Sequence, residues 1–116
     1  MSNQKINQAQ IQNQQGWQSP TLANGWIYYG APFHTPGYMK DTLGFVHLAG
    51  LVKNGVVGYN VFTLPTGYRP GSTIGFATYC STGIASVYID SGGNVTFPSG
   101  ANGFVFLDGI TFMAGQ

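Results

Sequence analysis

The sequence predicts an all-β protein, an antiparallel β-sandwich of jelly-roll type with about eight strands. Three observations predict it. Apolar runs of strand length recur along the chain, separated by clusters of Gly, Asn, Asp, Ser and Pro. No stretch shows the helical period of about 3.6 residues. Eighteen Gly and six Pro are spread through 116 residues, which breaks helices. The length is that of one domain, large enough to bury a core.

Taken in order, the strands are expected at 26–29, 44–53, 56–64, 73–81, 84–90, 94–97, 103–107 and 110–113. A short pair before Trp26 can add to the edge. The turn residues suggest how the strands connect. Asn54-Gly55 lies between Leu51-Val52-Lys53 and Val56-Val57, and Asn-Gly is the preferred two-residue hairpin turn. Ser91-Gly92-Gly93-Asn94 reads as a second hairpin between Tyr88-Ile89 and Val95. Asn102-Gly103 and Asp108-Gly109 read as a third and a fourth.

Alternation assigns faces. Ala85, Val87 and Ile89 share one side of their strand, with Ser86, Tyr88 and Asp90 on the other, so this strand is half exposed. Residues 103–107 and 45–51 are instead apolar on both sides. A strand apolar on both sides must be covered on both sides, and a subunit interface is the simplest cover. Trp26 is expected in the core, since large aromatics dominate small cores.

Charge is sparse. The chain has four basic and three acidic residues, no Glu, and a net charge of +1. That excludes a basic patch for nucleic acid, which needs Lys and Arg to neutralise phosphates. The polar surface is instead built of Asn, Gln, Ser, Thr and Tyr, a composition compatible with carbohydrate contact. Cys80 is the only cysteine, so no intrachain disulfide can form, and its strand-like setting suggests an inert thiol. No signal peptide and no membrane-spanning apolar run is visible.

No catalytic constellation emerges, and the chain is not expected to be an enzyme. The acids are Asp41, Asp90 and Asp108, and the last two adjoin glycine turns, where Asp caps the backbone. His34, His47 and Cys80 lack paired ligand spacing, so no metal or other cofactor is expected. His47 reads as a hydrogen-bonded histidine at an interface, with a symmetric ring of such histidines that binds a metal or anion as the sharper alternative. Binding is the better prospect. Tyr29, Phe33, His34 and Tyr38 cluster in a proline-containing stretch with Asp41 close behind. Aromatic faces stack on sugar rings, while imidazole, phenol and carboxylate groups orient hydroxyls. These five are the candidate ligand-binding residues.

Between Phe62 and Pro70 the chain reads Phe-Thr-Leu-Pro-Thr-Gly-Tyr-Arg-Pro. Pro65 and Pro70 cannot sit in a central strand, and Gly67 permits positive φ, so Tyr68 and Arg69 are held in a rigid exit turn. On the residues alone this is a structural corner. Thr63 to Pro70 also resembles a motif of the C-terminal head domains of bacteriophage tail-fibre, baseplate and appendage proteins, especially in phages of Gram-positive bacteria. Asn24-Gly25-Trp26, with Trp17 and Leu22 before it, is similar too. So are Tyr38-Met39-Lys40-Asp41 and the run from Gly44 to Gly50.

The resemblance implies a homotrimeric virion head that contacts the host surface at the tip of a tail or appendage. The expected function is binding of a host cell-surface polymer, a cell-wall saccharide or teichoic acid, with no membrane insertion. The alternative is a purely structural trimerisation domain that keeps a fibre in register. Residues 17–116 would form the head. Residues 1–16 are a polar linker or the end of a trimeric stalk, through which other virion proteins attach. Nine of the first fifteen are Asn or Gln, and Ile6 and Ala9 are spaced to face a shared axis.

Overall fold

The computed structural model describes residues 16–115, so the polar N-terminal segment lies outside the described residues. The fold is all-β and antiparallel throughout, with no helix among the described residues. Ten strands form, where about eight were expected. They are β1 (Ile27–Tyr28), β2 (Gly37–Lys40), β3 (Phe45–Ala49), β4 (Leu51–Lys53), β5 (Asn60–Thr63), β6 (Ile74–Cys80), β7 (Gly83–Ile89), β8 (Asn94–Ser99), β9 (Val105–Phe106) and β10 (Thr111–Met113).

Seven strands make one sheet in the order β1-β4-β9-β6-β7-β8-β5, and three make a second, β10-β3-β2. The large sheet curls. Ala23, just ahead of β1 at one edge, donates its N–H to Val61 O of β5 at the other edge, at 2.8 Å. The core lies between the sheets. Trp26, Val61, Phe62, Leu64, Val87, Ile89, Val95 and Phe97 meet Val46, Leu48 and Phe112 there. Ala85, Val87 and Ile89 point inward and are fully buried, as their alternation requires.

Two differences from the sequence expectation follow from one glycine. The segment 44–53 is two strands in two sheets, β3 and β4, with Gly50 as the corner. Its φ is +122°, and a Cβ there would lie 2.5 Å from Pro36 Cα. Part of the two-sided apolarity is therefore a chain changing sheets: Val46 and Leu48 serve one wall of the core and Val52 the other, while Leu51 turns to the outer side, among Tyr29, Phe33, Phe104 and Phe106.

The hairpin expectations divide. Ser91-Gly92-Gly93-Asn94 does join β7 to β8, with Ile89 opposite Val95. Asp90 caps it, accepting the N–H groups of Gly92 at 3.0 Å and Asn94 at 2.9 Å. Asn54-Gly55 joins no hairpin: β4 pairs with β1 and β9, while β5 lies at the far edge. Asn102-Gly103 and Asp108-Gly109 likewise connect strands that do not pair with each other. A hairpin without Gly in its turn does form, between β6 and β7 at Ser81-Thr82, with Cys80 opposite Gly83.

Candidate binding surfaces

The five candidate residues do not form one site. They fall on three neighbourhoods, and β2 explains why Tyr38 and Asp41 part. Tyr38 lies outside the strands expected from the sequence, but it sits in one, where successive side chains face opposite ways. Tyr38 and Lys40 turn toward the core side, Met39 to the outer side.

On the outer face of the small sheet, Met39, His47 and Thr111 stand side by side in register across β2, β3 and β10. His47 Nε2 lies 2.9 Å from Asp41 Oδ2, and its Nδ1 lies 3.2 Å from Thr111 Oγ1. Asp41 Oδ1 accepts the N–H groups of Leu43 at 2.9 Å and Phe45 at 3.0 Å, which caps the β2–β3 turn. One carboxylate thus fixes both a turn and an imidazole. The His47 hydrogen bond is the main reason the Asp41 carboxyl is held below the usual carboxylate range. The two N–H groups add to it, and burial opposes. With Trp17, Ala49 and Gly109 these residues line a concavity of about 440 Å³. Trp17 is 46% exposed, and its ring meets His34 edge-on at 5.0 Å.

Tyr29 and Phe33 come together on the outer face of the large sheet, 5.5 Å apart. The hydroxyl of Tyr28 donates to Phe33 O and pins this loop. Phe104 and Phe106 project from the β9 segment on the same side, and Tyr79 from β6 completes the group, 5.2 Å from Phe104. Lys53 Nζ sits 5.1 Å over the Tyr29 ring. The sequence reading passed over Tyr79 in this group. The signal for the two phenylalanines was present: alternation sends Val105 and Leu107 inward, so Phe104 and Phe106 must face out.

Tyr38 packs edge-on against Tyr68 at 5.1 Å, and burial, then Tyr68, push its phenol up from the ordinary value. Tyr68 belongs to the exit turn, whose polar groups bond other parts of the chain. Arg69 Nε donates to Leu64 O at 2.8 Å, and Lys40 Nζ to Gly67 O at 2.8 Å. Leu64 N–H donates to Gly93 O at 2.8 Å, and Gly115 N–H to Arg69 O at 2.7 Å. The turn thereby ties β5, the β7–β8 hairpin, β2 and the C-terminal segment together. Among the described residues no group of three or more His, Cys, Asp and Glu side chains is placed to hold a metal ion.

No protein-family model and no curated protein matches the chain. The fold is similar to that of the receptor binding protein of Listeria phage PSA. The TM-score is 0.76 at 16% sequence identity, covering 99% of this chain and 76% of that one. At that identity the likeness is one of fold.

Proposed function

We propose that this chain is the homotrimeric head domain of a phage virion protein, carried at the tip of a tail or appendage, and that it binds a polymer of the host surface without degrading it. The fold it shares with a phage receptor binding protein, over nearly its whole length, carries this reading. The surfaces support it. The Trp17–Asp41–His47 concavity offers an indole face for a sugar ring, and the Asp41 carboxylate and Thr111 hydroxyl, both held by His47, for its hydroxyls, the chemistry of a cell-wall saccharide or a decorated teichoic acid. The aromatic face around Phe104 and Phe106 suits neighbouring subunits, since interface cores are aromatic and poor in charge. Each of the three carboxylates accepts a backbone N–H, Asp108 from Gly50 at 2.7 Å, so all three have structural work. Glycoside cleavage usually needs two that converge on one bond.

Light scattering and wall adsorption test the reading together. The expected result is a salt-insensitive mass near three times 12.4 kDa, with adsorption to purified Gram-positive cell walls that His47→Ala weakens. A stable trimer that adsorbs to no wall would favour the purely structural registration domain. A monomer would sink both.

A further inference from the structure

On the core side of β2, opposite the Asp41–His47 concavity, a second groove opens at the mouth of the sandwich. There the edge strand of the small sheet, β2, faces the edge strand of the large one, β5. The segment ahead of β1 closes the third side, held by Ala23 N–H on Val61 O at 2.8 Å and Asn24 Nδ2 on Asn60 O at 2.7 Å. Ser19, Thr21, Tyr38, Asn60, Thr63 and Pro65 line about 390 Å³ between them. That lies within the size range of small-ligand sites, about 300–1,000 Å³.

The lining is dense in hydroxyls and carries no formal charge. Four hydroxyl-bearing residues, Ser19, Thr21, Thr63 and Tyr38, and the amide-bearing Asn60 line it, with Phe62 and Pro65 among its apolar lining. Asn60 Nδ2 donates to Thr63 Oγ1 at 2.9 Å, which in turn donates to Asn94 Oδ1 at 3.0 Å. Asn60 Oδ1 is buried with no hydrogen-bond partner among the described residues, an acceptor that a hydroxyl or a bridging water would satisfy. The cations of the described residues are committed elsewhere. Lys40 bonds Gly67 O, Arg69 bonds Leu64 O, and Lys53 sits over Tyr29. None of them lines the groove, so nothing there compensates a phosphate.

We propose that this groove is a second binding subsite, separate from the Asp41–His47 concavity, and that it takes an uncharged sugar ring of the host polymer rather than a phosphate. The proposal rests on the reading of the chain as a host-binding head. It divides recognition between a site with an ionisable pair and a neutral one.

The test is an amide-shift titration of the isotope-labelled full chain. N-acetylglucosamine, glucose and galactose are the neutral probes, and glycerol 3-phosphate is the charged one. At least one neutral sugar is expected to move the amides of Thr21, Asn60 and Thr63, equally from about 50 to about 500 mM salt. Glycerol 3-phosphate is expected to leave them in place. Tyr38→Phe removes one hydroxyl and keeps the ring on Tyr68, so it should weaken the sugar about fivefold. Thr21→Trp fills the groove from its exposed rim and should abolish the shifts. Both variants should keep the parent thermal midpoint, and His47→Ala should leave the shifts unchanged. Shifts at these amides with glycerol 3-phosphate, or none with any of the three sugars, overturn the assignment. Failure of the head reading would show separately, in the mass and wall adsorption of the unmodified chain.

Discussion

Gly55 follows an asparagine, and the pair looks like a hairpin turn, yet its role is to make room. A Cβ on Gly55 would fall 2.0 Å from Cδ2 of Trp26, so the indole lies directly on the glycine backbone. Trp26 is buried at 2% exposure and meets Phe97 edge-on at 5.0 Å. Gly55→Ala should therefore overpack the core and cost about 3 kcal/mol in urea unfolding; an unchanged midpoint would refute the contact. Asp41 gives a different signature. Its folded pKa lies below its unfolded value, so the unfolded chain binds this proton more readily. The stabilisation is complete above the unfolded value, near pH 4, and is lost as pH falls through the folded one. Asp90 shifts the same way: burial alone would raise it, but the Asn94 and Gly92 hydrogen bonds and the Arg69 charge outweigh burial. Thermal midpoints should fall on acidification below about pH 4, and Asp41→Asn should flatten that slope without removing it. An equal slope in the variant would mean that the His47 bond does not form in solution.

Among the elements, the exit turn shows how much a local motif can hold together. Its prolines and glycine were legible as a rigid corner, because φ restriction and φ freedom are properties of single residues. Its partners were not legible, because Gly93, Lys40 and Gly115 lie far away in sequence. Gly93 is tight for the same reason: a Cβ there would lie 2.4 Å from Leu64 O and 2.8 Å from Arg69 Nε. Arg69→Ala should cost about 2 kcal/mol, the scale of a hydrogen bond to a charged group, read by chemical denaturation. Oligomer mass should be unaffected; a loss of mass instead would place the turn at a subunit contact. The hairpins teach the same lesson. Ser91-Gly92-Gly93-Asn94 reverses the chain between partners because Asp90 supplies the cap within four residues. Asn54-Gly55 reverses nothing, because turn chemistry specifies a bend and not the strand that receives it.

At the scale of the molecule, the open question posed by 103–107 is what covers Phe104 and Phe106. Within one chain they are covered only in part, by Tyr29, Phe33 and Tyr79. Tyr79 is 58% exposed, so a charge there should spare the fold and oppose a second apolar surface. Tyr79→Glu is expected to shift the scattering mass from that of the proposed trimer toward 12.4 kDa while the circular dichroism stays that of the parent. A variant that keeps the parent mass would remove this face from the subunit contact and leave it free for ligand.

By itself the sequence determined the fold class, the one-sided burial of β7, the β7–β8 hairpin and the aromatic character of the stretch from Tyr29 to Tyr38. These follow from period, turn chemistry and composition, which act over a few residues. Tertiary structure alone decided that Gly50 sends one apolar run into two sheets. It also sent Tyr38 and Asp41 to opposite sides of β2 and set the imidazole of His47 between Asp41 and Thr111. The candidate residues were legible as residue types but not as sites, because a site is a set of distances between strands, and strand order is settled by non-local burial.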